Sequence, residues 1–412
     1  MTKKLSLKAN LLAMLVLSTG LSGLAHAGEP PLPTDPAVTR SLEAQDALPR
    51  TAFYSTPADI AASAPGALLR QEKAPEYSLP KGFTATRILY RSTDSHGNPV
   101  ATSGVVVVPP GKAPEGGWPV IVWAHGTSGT AQSCAPSLMK DVYYGGLRVF
   151  DLAAAGFVLV MTDYHGLGTD SPHQYMNKFA QVADIRNAVP AAHALLPDLS
   201  QKWFVVGHSQ GAYAALATAE AEAKANDPGY LGAISIAPAA RVGMINANIS
   251  AVKKAGGPYM SWLAYAIHAQ YPEFKPEDLL SKTGLSQYPE ATGKACWLTG
   301  NALYYPYSAK ELVRPGWDKN KYVKKFFAEQ TVGYEKAKGP ILLIAGGGDT
   351  TIPIHTLESY AKDACHAGSD VKYMVVPNAE HGAAMVESMD TQIAWLKSVL
   401  AGNAPSNTCQ RH

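Results

Sequence analysis

A serine between two glycines is the residue in this sequence best suited to covalent chemistry. Ser209 lies in Gly207-His208-Ser209-Gln210-Gly211, after the apolar run 203–206 and before the helix-forming run 212–225. In such a strand-turn-helix context, G-x-S-x-G puts the serine on a strained turn, and the glycines keep side chains out of the bend. We therefore predict that Ser209 is the nucleophile of an acyl transfer. The amide of Gln210 would point into the site from the helix N-terminus.

The base that such a serine requires is predicted to be His381. In hydrolases with this turn the partners follow in the order Ser, then Asp or Glu, then His, and His381 comes shortly after the apolar run 372–376. Two other histidines compete with it. His208 borders the nucleophile, but the turn presents only its central residue. His125 ends an earlier strand, where a side chain more often supports the loop through hydrogen bonds.

The acid that orients the base is predicted to be Asp349. It follows the apolar run 341–345 and three glycines, which would let the loop turn sharply and bring the carboxylate to the imidazole. A helix N-cap is the alternative role, because Ile352-Pro353 can start a helix. Asp163, at the end of an earlier strand, is the rival acid, but it precedes Ser209 and so breaks the expected order.

A second donor for the negative oxygen of the tetrahedral intermediate is predicted at Thr127. The sequence Ala124-His125-Gly126-Thr127 ends the apolar run 119–124, where this type of fold places such a donor. The backbone amides of Thr127 and Gln210 would then form the oxyanion hole together.

Apolar strands that alternate with helical stretches must position these groups. The first two runs, 87–90 and 104–108, flank the polar turn 94–98 and predict an antiparallel hairpin. The later runs are apolar on both faces and are separated by helical stretches, which indicates a buried, mostly parallel sheet with helices on both faces. These runs are residues 119–124, 157–161, 203–206, 231–236, 341–345 and 372–376. The predicted fold class is α/β.

One stretch, residues 240–335, breaks this alternation. It has no clear strand, yet it holds 15 of the chain's 36 Phe, Trp and Tyr residues. We predict an inserted, mainly helical cap or lid above the carboxyl edge of the sheet. Most of its aromatic side chains should form the cap's own core, and a minority should line a ligand pocket.

The rest of the chain completes the predicted domain organisation. Residues 1–27 have the pattern of a signal peptide, with early lysines, a short apolar run and Ala25-His26-Ala27 as a cleavage pattern; an uncleaved anchor is the alternative. Residues 28–80 are expected to form an N-terminal arm, with little regular structure in 28–50. The catalytic core would comprise residues 81–239 and 336–412. The protein is expected to be periplasmic or extracellular.

Charge and cysteine content exclude several classes. A net charge of +2 without a basic block argues against a nucleic-acid partner, and the cationic stretch 319–325 is interpreted as a solvated helix face. No stretch after the leader is apolar enough for stable membrane insertion. The four cysteines lack metal-ligand spacing, so we expect no metal. In an exported chain they favour two disulfides, for which three pairings exist, with free buried thiols as the alternative.

Further motifs accompany the nucleophile. They are Phe53-Tyr54 with Pro65-Gly66, Trp123-Ala124-His125-Gly126-Thr127 with Cys134-Ala135-Pro136-Ser137, and Thr162-Asp163-Tyr164-His165-Gly166-Leu167-Gly168. Together these motifs resemble the secretory lipase family of bacteria and fungi, which includes lipase A-type enzymes with an inserted lid. Within that family the chain is also similar to secreted esterases of plant-associated bacteria. The resemblance covers roughly residues 53–400 and is most specific between 120 and 215.

That resemblance implies an α/β-hydrolase fold, hydrolysis of triglycerides or simple esters, a helical lid and no cofactor. Carried over position by position, it supports Ser209, Asp349 and His381 as a triad, with Thr127 and Gln210 as oxyanion donors.

The same resemblance, together with chain order, favours one of the three cysteine pairings. Cys134 would join Cys296 and tie the oxyanion region to the insertion. Cys365 would join Cys409 and fasten the C-terminal tail.

The predicted function is a secreted serine carboxylesterase or lipase that forms an acyl-enzyme on Ser209. The expected partner is a small ester or lipid, and the chain is expected to be a monomer. Two other functions remain open: a serine peptidase or amidase of the same fold, and an inactive relative that binds glycans or lipids. A tyrosine-rich roof favours acyl chains of up to about eight to ten carbons over long triglycerides.

Overall fold

A single mixed sheet of nine strands, in the order β1-β2-β3-β5-β4-β6-β7-β8-β9, organises the chain. The computed structural model describes residues 32–241, 257–403 and 405–409. β1, β2, β3 and β5 pair antiparallel in turn, and the remaining neighbours pair parallel. The strands are β1 Leu68–Lys73, β2 Thr84–Thr93, β3 Pro99–Val108, β4 Trp118–Ala124, β5 Val158–Thr162, β6 Leu199–His208, β7 Tyr230–Ile236, β8 Pro340–Gly346 and β9 Asp370–Val376. The α/β class and the eight strands expected from the sequence are confirmed.

Helices cover both faces of the sheet, because the strand residues alternate between two buried surfaces. In β4, Val122 packs on the side of α3 and α4, whereas Ile121 and Trp123 pack on the side of α2 and α12. Within the described residues the α-helices are α1 Pro36–Asp46, α2 Val149–Ala154, α3 Lys178–Leu195, α4 Gln210–Ala225, α5 Gly257–Gln270, α6 Lys282–Gly293, α7 Trp297–Tyr304, α8 Ala309–Leu312, α9 Lys321–Glu329, α10 Ile354–His366, α11 His381–Glu387 and α12 Met389–Leu400.

The register of the parallel strands brings the predicted site residues to one edge. Ala124 at the end of β4 pairs with Gly207 of β6, and the next residue, His208, pairs with Ile236 of β7. On the other side of β7, Gly346 of β8 pairs with Val376 of β9. The loops after β4, β6, β8 and β9 therefore leave the sheet side by side at its carboxyl edge, where α/β proteins bind their ligands.

The N-terminal segment is more ordered than the sequence suggested. The expectation of little regular structure in residues 28–50 is wrong for α1. Asp35 caps this helix by accepting the Ala37 N–H at 2.8 Å, and Pro36 stands at its first position. Glu43 then accepts both the N–H and the hydroxyl of Thr299, at 2.9 and 2.7 Å, which holds α1 against α7.

The segment predicted as an arm, residues 28–80, also contributes an edge strand. β1 pairs antiparallel with β2, from Lys73 opposite Thr86 to Leu68 opposite Tyr90. Its sequence, LLRQEK, lacks alternating apolar residues because an edge strand is only partly covered. Tertiary pairing, and not local pattern, decides that this stretch is extended.

The segment between β7 and β8 packs as a helical cap. Over residues 257–335 it contains α5 to α9 and no named strand. Of its 15 aromatic side chains, two are exposed, seven are half-buried and six are buried. These buried residues are Trp262, Tyr271, Phe274, Tyr304, Trp317 and Phe326. The cationic stretch 319–325 runs into α9, where Lys321, Lys324 and Lys325 are exposed, as a solvated face requires.

Some predictions fall on residues that the structure does not describe. The predicted signal peptide, residues 1–27, lies outside the described ranges, and so do residues 242–256 of the predicted cap. Of the helices in the described ranges, none is both long enough and apolar enough to cross a membrane.

Candidate active site

Ser209 occupies a strained turn between β6 and α4. Its backbone angles are φ 56° and ψ −115°, which a residue with a side chain rarely adopts. A Cβ on Gly207 would overlap the Gly211 carbonyl, and one on Gly211 would overlap the Ala124 carbonyl. The two glycines are therefore required by close packing, as the motif predicts. The Ser209 N–H donates to the Ile236 carbonyl at 2.9 Å, and the residue is half-buried.

The segment after β4 runs beside this turn. A Cβ on Gly126 would lie 3.4 Å from the Cβ of Ser209, so this segment passes close to the predicted nucleophile. Gln210 is the first residue of α4, and the N–H groups of a first helical turn have no partner within their helix. Both amides predicted to form the oxyanion hole, at Thr127 and Gln210, thus belong to segments that meet at Ser209.

Tyrosines surround Thr127 and were not singled out by the sequence. The Thr127 carbonyl accepts the Tyr143 hydroxyl at 2.6 Å, and the Thr127 hydroxyl lies 3.0 Å from that of Tyr175. Among the described residues, no acceptor is assigned to the Thr127 N–H. These contacts fix the residue while leaving its amide to a ligand. The sequence shows two adjacent tyrosines, Tyr143 and Tyr144, and the more distant Tyr175. Nothing in their spacing predicts a contact with Thr127.

His381 and Asp349 are in direct contact. The Nδ1 atom of His381 lies 2.7 Å from Oδ2 of Asp349. The Asp349 side chain is 1% exposed, whereas that of His381 is 19% exposed, so the carboxylate is closed off from solvent and the imidazole stays partly accessible. The His381 ring also contacts that of His208 in a tilted arrangement, with centroids 4.6 Å apart, and His208 immediately precedes Ser209.

Asp349 also partly fills its alternative predicted role, that of a cap before a helix. Its Oδ1 atom accepts the N–H groups of Thr351 and Ile352, each at 2.8 Å, before α10 begins at Ile354. One carboxylate oxygen therefore orders the loop and the other holds the imidazole. Since these backbone donors orient the carboxylate independently, the Asp349 side chain is fixed before any substrate binds.

The three glycines before Asp349 serve a purpose other than the predicted sharp turn. Gly346, Gly347 and Gly348 do not have left-handed backbone angles. Instead, a Cβ on Gly346 would overlap the Ala379 carbonyl, and one on Gly348 would lie 2.7 Å from the Asn378 carbonyl. The glycines let the loop after β8 pack directly on the loop after β9, which brings Asp349 to His381.

The rival acid, Asp163, is committed elsewhere. It is fully buried and accepts the Ser103 hydroxyl at 2.6 Å, the Ser137 N–H at 2.8 Å and, at shorter range, the Ser137 hydroxyl. Burial raises the pKa of Asp163 to about 6. In the described structure, no histidine ring nitrogen contacts its carboxylate; His125 Nε2 lies 3.1 Å from its backbone carbonyl instead.

The two competing histidines are buried. His125 places Nδ1 2.6 Å from the Gly126 carbonyl, and burial lowers its pKa to about 4. His208 is likewise buried, and burial followed by repulsion from His381 lowers its pKa to about 3. Both rings contact backbone carbonyls of neighbouring site segments, which is the supporting role that the sequence analysis assigned to His125.

Two disulfides join Cys134 to Cys296 and Cys365 to Cys409. These are the pairs favoured by the resemblance and by chain order. The first reaches from the segment after β4 to the start of α7. Beside it, the backbones of Gly129 and Cys296 pair in an isolated antiparallel β-bridge.

Cap residues lie above the site. The Trp297 N–H donates to the Ser128 carbonyl at 2.8 Å, and its indole N–H donates to the Tyr259 hydroxyl at 3.0 Å. Burial raises the pKa of the Tyr259 hydroxyl, and the negative charge of Asp349 adds to this shift. Tyr259 and Trp297 are two of the half-buried aromatic side chains of the cap.

Solved structures with the same fold are lipases and esterases. Lipase A of Candida antarctica in its closed state superposes with a TM-score of 0.75 at 19% identity, over 89% of this chain and 90% of that one. The rice cell wall degrading esterase LipA of Xanthomonas oryzae gives a TM-score of 0.69 at 19% identity, over 83% of this chain and all of that one. At these identities the similarity establishes the fold, which is that of the α/β-hydrolases.

Sequence comparison places the chain within a family. A relative described as a probable inactive lipase, from Mycobacterium tuberculosis, is 24% identical over 412 aligned residues, covering 93% of this chain and 88% of the relative. The family model of the secretory lipases matches residues 140–408, a range that contains Ser209, Asp349 and His381. Because that match spans well over half of the sequence, this chain belongs to the secretory lipase family of ester hydrolases.

Proposed function

We propose that this enzyme cleaves carboxylic esters through an acyl-enzyme on Ser209, with His381 as base and Asp349 as orienting acid. The observation that carries the proposal is the 2.7 Å contact between Asp349 and His381, beside a serine held in a strained turn. Family membership supports ester chemistry, and the matched range includes all three residues.

The Asp349 contact determines which imidazole nitrogen acts as the base. Since Asp349 accepts from Nδ1, that atom carries the proton and Nε2 keeps a free lone pair. Nε2 takes the Ser209 proton as Oγ attacks the ester carbonyl carbon, and the resulting imidazolium is stabilised by the adjacent carboxylate.

The developing negative oxygen would be bound by the Thr127 and Gln210 amides. Collapse of the tetrahedral intermediate breaks the bond to the alcohol, which leaves with the proton from His381. A water molecule, deprotonated by His381, then attacks the acyl-enzyme, and the acid departs from Ser209. Each step uses side chains and backbone amides from one chain, so a monomer would contain the complete site.

The roof supports a preference for short and medium acyl chains. Tyr259 accepts from the Trp297 indole, so its own hydrogen is free to contact a polar group of the substrate. The Cys134–Cys296 bond also fixes the cap to the stretch after β4 that carries Gly126 and Thr127, which we call the oxyanion segment. This part of the cap therefore does not lift away as a free lid. The substrate would be a small ester or lipid, and the two disulfides support action in the periplasm or outside the cell.

Replacing the nucleophile tests the mechanism. Ser209→Ala should leave the fold intact and reduce hydrolysis of p-nitrophenyl butyrate to a few per cent or less. A fluorophosphonate probe should label the wild type at Ser209 and leave the variant unlabelled. An unlabelled wild type would favour the inactive, ligand-binding alternative, and faster turnover of an aminoacyl anilide than of the ester would favour the peptidase.

A chain-length series tests the substrate. We expect turnover to be highest for acyl chains of up to about eight to ten carbons, a limit set by ordinary pocket volumes. Emulsified long-chain triglyceride serves as the comparison. Faster hydrolysis of the emulsion, with a jump in rate above the solubility limit, would identify an interfacial lipase and overturn this preference.

A further inference from the structure

Two buried side chains that the mechanism does not use connect the oxyanion segment to the base. The Gly126 N–H donates to the Tyr144 hydroxyl oxygen at 3.1 Å. That hydroxyl lies 2.8 Å from Nδ1 of His208, and Nε2 of His208 lies 3.0 Å from the backbone carbonyl of His381. Four groups, from the segment between β4 and α2, the end of β6 and the start of α11, thus form one continuous hydrogen-bonded chain.

The direction of every hydrogen bond in this chain is determined. A backbone N–H only donates, so Tyr144 accepts from Gly126 and must give its own hydrogen to His208 Nδ1. A carbonyl only accepts, so the His208 proton is on Nε2 and points at His381. One tautomer of a neutral imidazole satisfies both ends. Burial keeps the pKa of His208 near 3, so the ring is neutral wherever His381 acts as a base.

The segment that carries Tyr144 is built for this contact. Val142 and Tyr143, which precede it, both have left-handed backbone angles, with φ 49° and 69°. Such angles are unfavourable for residues with side chains and persist only where the surrounding structure enforces them. They let two consecutive tyrosines reach the oxyanion segment, Tyr143 at the Thr127 carbonyl and Tyr144 at the Gly126 N–H.

We propose that Tyr144 and His208 are positioning residues that set the separation between the oxyanion donor at Thr127 and the imidazole of His381. This inference rests on the proposed function. In the proposed mechanism, the tetrahedral intermediate on Ser209 must contact both groups at once. Misplacement of either by a fraction of an ångström weakens transition-state binding more than substrate binding.

Tyr144→Phe tests the upper end of the chain. The ring stays, while the Gly126 N–H and His208 Nδ1 lose their partner. We expect kcat/KM for p-nitrophenyl butyrate to fall about tenfold to a hundredfold, somewhat less than the loss of a whole oxyanion donor. KM should stay within about twofold, a split that marks lost transition-state stabilisation. Affinity for a trifluoromethyl ketone, which mimics the tetrahedral intermediate, should fall by the same factor as kcat/KM.

Tyr90→Phe is the matched control. Tyr90 is also buried, and its hydroxyl also makes two contacts, with Thr162 at 2.6 Å and the Asp184 carbonyl at 2.9 Å, but it lies in β2 away from the nucleophile turn. A comparable loss of thermal stability with unchanged kcat/KM is expected. If Tyr144→Phe behaves like this control, the positioning role is refuted.

Two substitutions at His208 test the lower end and remain informative if Tyr144→Phe folds poorly. His208→Asn keeps an acceptor near Tyr144 but loses the donor to His381, and His208→Gln keeps a donor for His381 but loses the contact with Tyr144. Each should reduce kcat/KM with little change in KM. Adding Tyr144→Phe to His208→Gln should cause little further loss, because the chain is already broken there.

Fully additive losses would show that the two residues act separately and would overturn the proposal. Failure of the underlying mechanism has a different signature. In that case Ser209→Ala would retain activity, whatever the Tyr144 and His208 variants do.

Discussion

Two aspartates end parallel strands of the same sheet, Asp163 after β5 and Asp349 after β8, yet only one of them holds an imidazole. Asp349 directs one oxygen at His381 and the other at two backbone N–H groups. Asp163 directs both oxygens at Ser103 and Ser137. Both side chains are buried and both follow an apolar run, so residue type and local pattern do not separate them.

The neighbouring strands decide the difference. β5 lies beside the antiparallel strand β3, which supplies Ser103, whereas β8 lies beside the parallel strand β9, whose following loop supplies His381. Gly346 and Gly348 let those two loops touch. The comparison teaches that a carboxylate at a strand end takes its role from the loop packed against it. Asp163 holds Ser137 in the stretch after β4, and Asp349 holds the His381 imidazole.

The largest expected effect comes from Asp349→Asn. The amide oxygen can still accept the N–H groups of Thr351 and Ile352, so the loop should survive. The amide NH₂ would face Nδ1 of His381, which forces the wrong tautomer and removes the base. We expect kcat to fall by roughly 10⁴, as for orienting carboxylates in other triads. Steady-state kinetics on a soluble ester measure this, and a loss below tenfold would contradict the assignment.

Removing each disulfide in turn tests the Asp163 and Asp349 regions separately, with protein stability as the first measurement. Cys134–Cys296 spans 162 residues beside the Asp163 region, and Cys365–Cys409 spans 44 after the Asp349 loop. Chain entropy predicts losses of about 5 and about 4 kcal/mol on replacing each pair with alanines. Only the first pair ties the cap to the oxyanion segment, so only its loss should also reduce kcat/KM. Thermal unfolding and kinetics of both double variants test this; equal kinetic losses would contradict it.

Asp163→Asn should have the smallest effect on catalysis. Because Asp163 contacts no imidazole, we expect kcat/KM within about threefold of the wild type, with the change appearing in stability instead. An isosteric amide keeps an acceptor for the Ser137 N–H, so the loss of stability should be about 1–3 kcal/mol near pH 4, typical of a disturbed buried hydrogen bond. A greater loss of kcat than Asp349→Asn causes would exchange the two roles.

The stability difference between Asp163→Asn and the wild type should depend on pH. Burial raises the pKa of Asp163 from 3.8 to about 6, so between these values the folded protein holds a proton that the unfolded chain has released. The contribution of Asp163 to the free energy of unfolding of the wild type is therefore fully present below pH 4 and is lost as the pH rises through 6. The free energy of unfolding of Asp163→Asn, relative to that of the wild type, should therefore rise by on the order of 3 kcal/mol as the pH increases from 4 to above 6. Denaturant unfolding at pH 4 and pH 7 measures it, and a constant difference would contradict the buried, protonated carboxyl.

Several features of the fold were predictable because their signals are local. The eight strands appear as short apolar runs, and the nucleophile turn needs glycine on both sides of a serine. Strand β1 was missed because it is an edge strand whose charged residues break the apolar pattern of a buried strand. Helix α1 was missed although Asp35-Pro36 is a helix-start signal, since the surrounding Pro-rich composition suggested a flexible arm.

Short patterns in the sequence were enough to identify a serine on a tight turn, and an aspartate and a histidine that each follow a buried strand. The apolar runs and glycines that carry these signals are close neighbours of each residue along the chain. Chain order favoured Asp349 over Asp163, but the contact between Asp349 and the His381 imidazole, and the position of Tyr144 and His208 between Gly126 and His381, depend on the tertiary structure. Such contacts join segments far apart in the chain, and the packing of whole loops, which no local propensity encodes, sets their distances.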